Sequence, residues 1–155
     1  MNNKLKLIIS LAIPLLAGFI GSLFTNSSLK NGWYETLVKP ALVPPSWIFP
    51  VVWTILFILM GLALYLVWQK PKHPKFRLAY LLFSVQLVLN VWWSMLFFYL
   101  ERPSWALLEI VGLWFSILFT LLIFKKIDHR AGWLLLPYLL WVTFAVYLNY
   151  SIALD

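Results

Sequence analysis

Cysteine is absent from this 155-residue sequence, and only 11% of its residues are charged. The absence of cysteine excludes disulfide bonds, thiolate catalysis and zinc–cysteine sites. A typical soluble domain carries about 25% charged residues, so this chain has too few polar side chains to cover a water-exposed globule. A soluble enzyme, a disordered tail and a disulfide-stabilised scaffold are therefore excluded. Because 63% of the residues are apolar, the sequence predicts an integral membrane protein.

Five apolar runs each approach the roughly 20 residues that a helix needs to cross a hydrocarbon core. Three of the segments between them are so short that neighbouring helices must run antiparallel. The alternating hydrophobicity of a membrane β-barrel is missing. The sequence therefore predicts an all-α fold, a single five-helix transmembrane domain over residues 1–155. The predicted spans are residues 5–24, 46–68, 76–99, 105–124 and 133–154.

Lysine and arginine divide unevenly between the two faces that five crossings create. Nine of the twelve fall on the face of the N-terminus, and three fall on the other face with residues 25–45, the one long connection. Cytoplasmic loops carry an excess of Lys and Arg. The N-terminus is therefore predicted to be cytoplasmic, with the C-terminus and the long connection on the outer face of a bacterial-type cell membrane. Orientation in the lipid bilayer accounts for the net charge of +7, so no nucleic-acid partner is predicted.

Tryptophan is unusually frequent, with ten residues in the chain. Those near the predicted helix ends are typical of the membrane interface. An indole N–H inside the hydrocarbon finds no partner in lipid, so some of the remaining tryptophans should face the bundle interior or a ligand. The tryptophans inside predicted spans are Trp53, Trp92, Trp93, Trp114 and Trp141.

Polar side chains also follow a helical spacing inside the spans. Gln86, Asn90 and Ser94 recur every four residues and so share one face of the third helix, and Asn149 lies inside the fifth. Two interpretations of the asparagines remain open. Their amides either hold neighbouring helices together, or they converge on a mid-membrane cavity walled by aromatic side chains, which is the usual chemistry of a small-molecule site.

Residues for conventional catalysis or metal binding are missing from the spans. Glu109 is the one acid well inside a span, and it is expected to reach the outer surface or to pair with Arg102. The two histidines, His73 and His129, lie in predicted loops, so a bound haem would lack a histidine ligand inside the bundle. No metal site, no catalytic residue and no required cofactor is predicted.

Three blocks of sequence carry a resemblance to a known family. Residues 33–53 read WYETLVKPALVPPSWIFPVVW, residues 89–98 read LNVWWSMLFF, and residues 137–150 read PYLLWVTFAVYLNY. These blocks, in this order, resemble the translocator protein family, whose bacterial members are called tryptophan-rich sensory proteins (TspO/MBR). The resemblance covers the whole chain, and it implies a five-helix bundle, often a homodimer, whose pocket opens toward the long first connection.

The resemblance implies a membrane receptor or carrier that binds tetrapyrroles such as protoporphyrin IX and haem, and that acts in tetrapyrrole metabolism, sensing or transport. It also implies binding of isoquinoline or benzodiazepine drugs. By motif position, the pocket would be lined by Tyr34, Trp53, Asn90, Trp93, Trp141, Phe144 and Ala145. The loop that covers it would be shaped by Trp33, Lys39, Pro40, Pro44 and Pro45.

Two other functions remain as alternatives. Some bacterial relatives degrade protoporphyrin in light, and the tryptophans implicated match Trp53 and Trp141, so a light-dependent porphyrin-degrading activity is the first alternative. A small transporter or channel subunit is the second. Animal members also carry a sterol motif late in the fifth helix, but Tyr147 and Tyr150 are followed here by SIALD without a basic residue. The resemblance therefore does not extend to the sterol site.

Overall fold

The computed structural model describes residues 1–155, and five long helices form a bundle without any strand. Each helix is long and apolar enough to cross a membrane, which confirms the predicted all-α membrane fold. Their bounds are Asn3–Asn31 for α1, Ile48–Trp68 for α2, Phe76–Ser94 for α3, Pro103–Ile127 for α4 and His129–Leu154 for α5.

Helix α1 is longer than predicted, because it continues to Asn31 instead of ending at residue 24. The Thr25 hydroxyl donates to the Gly21 carbonyl at 3.3 Å, and the backbone continues as a helix through this polar segment. Gly32 ends the helix in the left-handed conformation, with φ of 78°, where glycine is the favoured residue. The first connection, between α1 and α2, is therefore residues 32–47, whereas residues 25–45 were predicted to join the first two membrane spans.

Helices α4 and α5 also exceed their predicted bounds, and one residue, Asp128, separates them. The Asp128 carboxylate accepts a hydrogen bond from the backbone N–H of Arg130 at 2.9 Å and so caps the start of α5. Pro103 stands in the first turn of α4, where its missing N–H leaves no helical bond unmade.

The helices follow the order α1, α2, α5, α4, α3 around the bundle, so that α1 and α3 close the ring. Large side chains that are fully enclosed, among them Met60, Phe83, Phe124 and Tyr138, fill its interior. α1 and α2 come unusually close where Gly61 faces α1, since a Cβ at Gly61 would lie 2.8 Å from the Cα of Leu11.

One end of the bundle, called the basic end here, carries the N-terminus, residues 69–75 and Asp128. The Asp128 carboxylate joins its connections, with Oδ2 lying 3.4 Å from Nζ of Lys70 and 2.9 Å from Nη2 of Arg130. Lys70 also donates to the carbonyl of Ile127 at 3.1 Å. The Arg130 guanidinium, and then Lys70, lower the pKa of Asp128 to about 2.

Candidate ligand-binding cavity

A cavity of about 260 Å³ opens in the half of the bundle next to the first connection. Its walls come from the first connection and from the adjoining parts of α1, α2, α3 and α5, whereas α4 contributes no residue. Eight of the 23 lining residues are aromatic. The aromatic lining residues are Tyr34, Phe49, Trp53, Phe57, Trp93, Phe97, Phe98 and Trp141.

Six of the seven residues expected to bind a ligand meet at this cavity: Tyr34, Trp53, Asn90, Trp93, Trp141 and Ala145. Phe144 does not line it. Residues 141 and 145 are four apart and share one helix face, while Phe144 is rotated about 100° from Ala145. Its ring packs instead against Trp141, with centroids 5.6 Å apart.

Two of the five residues expected to shape the covering loop, Trp33 and Lys39, contact residues of the cavity wall. Within the first connection, Tyr34, Val43 and Ser46 line the cavity itself. The Trp33 ring packs edge-on against Phe97, with centroids 5.8 Å apart. The other loop residues named from the motif, none of which lines the cavity, are Lys39, Pro40, Pro44 and Pro45.

Two lining residues outside the set expected to bind a ligand come from the end of α3. A π-helical turn, Met95–Tyr99, ends α3 and contributes both Phe97 and Phe98 to the wall. Trp93 and Ser94, which are neighbours within α3, also line the cavity, so this face of the helix is broad enough for adjacent side chains. π-turns are frequent at functional sites, but the sequence carries no signal for this one.

A hydrogen-bonded triad of side chains closes the inner wall. The Tyr138 hydroxyl donates to Oε1 of Gln86 at 2.7 Å and accepts from Nδ2 of Asn90 at 2.7 Å. All three side chains are buried. Asn90 is thereby fixed at the cavity, with its Oδ1 as an acceptor that no protein group uses. Tyr138 was missed from sequence, although a phenol inside a membrane helix needs a partner such as these amides.

Asn149 both joins neighbouring helices and lies at the cavity, which were the two alternative interpretations of its position in the sequence. Its Oδ1 accepts from the indole N–H of Trp93 at 2.9 Å, and its Nδ2 donates to the carbonyl of Pro103 at 2.9 Å. The amide therefore ties α5 to α3 and α4, and the residue also lines the cavity. Asn149 is both helix-joining and part of the wall.

The other tryptophans inside spans differ in their surroundings. The indole N–H of Trp114 donates to the Thr143 hydroxyl at 2.7 Å, away from the cavity, and Trp92 is half exposed on the outside of the bundle. The N–H of Trp141 is buried and has no hydrogen-bond partner in the protein. Trp53 stacks on Phe57, with centroids 5.7 Å apart.

The expectation for Glu109 was wrong in both forms. Both of its carboxyl oxygens are buried, so the side chain does not reach the outer surface, and neither oxygen has a partner. Arg102 precedes α4 and is exposed, and no ion pair joins it to Glu109, since both ion pairs of the structure involve Asp128.

At the mouth of the cavity, a cation lies on an aromatic wall residue. Nζ of Lys39 is 4.6 Å from the centroid of the Tyr34 ring and donates to the carbonyl of Leu37 at 3.3 Å. Burial, and then the nearby Glu35 carboxylate, raise the pKa of Tyr34, so its phenol stays neutral at physiological pH. A neutral electron-rich ring is the partner that a cation–π contact requires.

Comparison with known proteins places these features in a family. The sequence model of the TspO/MBR family matches residues 10–154. The chain is 45% identical to the tryptophan-rich protein TspO of Chlorobaculum tepidum, over 98% of this chain and 97% of that protein. It is 40% identical to the protein of the same name in Archaeoglobus fulgidus, over 98% and 97%. It is 33% identical to the translocator protein of Homo sapiens, over 92% and 85%.

Proposed function

This chain belongs to the TspO/MBR family of membrane proteins, and we propose that it is a receptor or carrier for tetrapyrroles such as protoporphyrin IX and haem. The observation that carries the proposal is the aromatic wall of the cavity beside the first connection. A tetrapyrrole is a large flat π-system, and indole and phenyl faces stack favourably on such a ring.

The polar groups of the cavity suit a ligand that is mainly apolar. Asn90 offers a free carbonyl oxygen, and Lys39 offers an ammonium at the mouth. Small-molecule sites typically combine an apolar lining with a few placed polar groups of this kind. The isoquinoline and benzodiazepine drugs implied by the resemblance also have flat aromatic bodies that match this lining.

The cavity must enlarge to take a tetrapyrrole. Its volume of about 260 Å³ lies below the roughly 300–1,000 Å³ of typical ligand sites. The first connection, residues 32–47, forms no ion pair, since both ion pairs of the structure involve Asp128 at the basic end. Displacement of this connection is therefore the proposed route by which the ligand gains room.

Protoporphyrin IX titration of the purified protein, followed by tryptophan fluorescence in the dark, tests the function. The site variant carries Trp53→Ala and Trp141→Ala. The matched control carries Trp92→Ala and Trp105→Ala, which removes two tryptophans that are 50% and 63% exposed and do not line the cavity. Both variants retain eight indoles, so their fluorescence is comparable.

We expect saturable quenching in the wild type and in the control, and weak or non-saturable quenching in the site variant. Equal binding by the two variants would show that the ligand does not occupy this cavity. Absence of saturable quenching in the wild type would contradict the proposed function itself.

Light-dependent degradation of the bound porphyrin is a second candidate, favoured by the position of both Trp53 and Trp141 at the cavity wall. The light-excited macrocycle would add molecular oxygen across one carbon–carbon double bond, so that the C=C and O=O bonds break and two carbonyl groups form, while the two indoles hold the ring at the wall. Illumination of the saturated complex tests this activity. Bleaching no faster than with an unrelated membrane protein would contradict it.

A further inference from the structure

Lys39 is the one cation at the first-connection end that contacts the cavity wall. Its Nζ lies 4.6 Å from the centroid of the Tyr34 ring, and Tyr34 lines the cavity. Lys39 is half-buried, whereas Lys30 and Arg102 at the same end are exposed, and none of the three lines the cavity itself. Lys39 differs from the other two because its ammonium lies on an aromatic ring of the cavity wall.

The Lys39 ammonium still has donors available for a ligand. Of its three N–H groups, one is directed to the carbonyl of Leu37 at 3.3 Å. No carboxylate lies within 4.0 Å of Nζ, because the ion pairs of the protein are confined to Asp128. The nearby acids are engaged elsewhere or face solvent, since Glu101 accepts from Nδ2 of Asn31 at 3.1 Å and Glu35 is exposed.

The overall charge of this end does not favour anions by itself. Three cationic side chains, Lys30, Lys39 and Arg102, are balanced by the acidic side chains of Glu35, Glu101 and Asp155. A negatively charged ligand would therefore be attracted by direct contact with an ammonium group, and not by the summed charge of this end of the protein. A charge-assisted hydrogen bond in the partly desolvated mouth is such a contact.

We propose that Lys39 anchors a carboxylate of the ligand, so that the cavity selects amphipathic anions. The apolar ring system lies among the tryptophans, and the carboxylate stays at the mouth against the ammonium that rests on Tyr34. This inference rests on the proposed function and deepens it, because it makes the charge of the ligand a determinant of binding.

Two ligands with the same macrocycle separate charge from shape. Protoporphyrin IX carries two carboxylates, and its dimethyl ester carries none. Each is titrated against the wild type, Lys39→Gln, Lys39→Arg and Lys30→Gln in the same detergent at pH 7. For each porphyrin, the affinity of a variant is divided by that of the wild type, so that the different solubilities of the two porphyrins cancel. The two ratios are then compared, as in a double-mutant cycle.

We expect Lys39→Gln to weaken binding of the acid about tenfold, the size of a modest charge-assisted hydrogen bond, and to change binding of the ester less than twofold. Lys39→Arg should retain the affinity for the acid, and Lys30→Gln should leave both ligands unaffected.

Equal weakening of the acid and the ester by Lys39→Gln would overturn the inference, since Lys39 would then act only by shaping the loop. An equal effect of Lys30→Gln would overturn it too, because a general field would be responsible. In both cases porphyrin binding, and so the proposed function, would stand. If neither porphyrin binds to the wild type, the proposed function fails and the inference fails with it.

Discussion

The hydroxyl of Tyr138 in α5 donates a 2.7 Å hydrogen bond to Gln86 in α3, one helical turn from the cavity residue Asn90. The same hydroxyl accepts from the Asn90 amide, so one oxygen atom satisfies two buried side chains. Polar groups inside a hydrocarbon layer have no water as an alternative partner. This contact therefore connects the packing of two spans to the position of a cavity side chain.

Replacing Tyr138 with Phe should destabilise the bundle by about 1 kcal/mol, because interhelical hydrogen bonds in membranes average about 0.6 kcal/mol and reach about 1.7 kcal/mol. Denaturant unfolding in mixed micelles measures this loss. Tyr147→Phe is the matched control, since the Tyr147 hydroxyl makes no hydrogen bond and the residue is 41% exposed. Equal stability of the two variants would show that the triad contributes nothing.

The number of spans was predictable because a helix that crosses a membrane must be apolar over a fixed length. The residue at which α1 ends was not predictable in this way, because the requirement for apolar residues applies only inside the hydrocarbon layer. Residues 25–31 are polar except for Leu29, and they continue the helix beyond the apolar run until Gly32 ends it. Predicted spans therefore measure the apolar run, and the helix itself can be longer.

Motif position is a partial guide to which residues line the cavity. Trp53, Asn90 and Trp141, assigned from the motif, lie at one cavity, but Phe144, assigned with them, packs against Trp141 and does not line it. Phe98 also lines the cavity, from the π-turn that ends α3, but it lay outside the residues assigned from the motif. Side-chain direction around each helix axis was thus the missing information.

A side chain at Gly61 of α2 should clash with the backbone of α1. A Cβ there would lie 2.8 Å from the Leu11 Cα and the Ser10 carbonyl oxygen, and backbone atoms cannot yield as a flexible side chain can. We expect Gly61→Ala to cost about 1–3 kcal/mol, as for other overpacked interiors. Because α1 also forms part of the cavity wall through Gly18 and Gly21, porphyrin affinity should fall as well.

Gly112→Ala is the control for this substitution. Gly112 lies within α4, and a Cβ built on it meets no atom within 4 Å. Alanine is the better helix former by about 1 kcal/mol, so this variant should be as stable as the wild type or more stable. Thermal unfolding in detergent compares the two variants, and equal losses would contradict the close approach of α1 and α2.

Asp128→Asn should lower stability at neutral pH while leaving the start of α5 capped, because Asn is also a good N-cap residue. The pKa of Asp128 is lowered to about 2 in the folded protein, below its ordinary value of 3.8. The ionised Asp128 carboxylate therefore makes its full contribution to the free energy of unfolding above about pH 4, and this contribution is lost as the pH falls through about 2.

The difference between wild type and Asp128→Asn should thus be constant from pH 5 to 8 and should vanish near pH 2. Its size should be at most about 1 kcal/mol, since the Lys70 and Arg130 side chains are 48% and 74% exposed and solvent screens the pairs. Unfolding curves across this range measure it, with Asp155→Asn at the exposed C-terminus as control. If the wild type instead gained stability over Asp128→Asn as the pH fell, the stabilising role of the ionised carboxylate would be contradicted.

The orientation proposed for the chain places the N-terminus and the basic end in the cytoplasm and the first connection outside. Because the natural sequence has no cysteine, single cysteines report the orientation without further changes. Val38→Cys in the first connection and Pro71→Cys between α2 and α3 are both at exposed positions, and neither changes the distribution of charge. A membrane-impermeant maleimide should label Val38→Cys in intact cells and Pro71→Cys only after permeabilisation.

The physical reason for this orientation is the nine-to-three division of lysine and arginine, because cationic loops are retained on the cytoplasmic side. The reverse pattern would place the cavity mouth and Lys39 toward the cytoplasm, so that a ligand would reach the cavity from inside the cell.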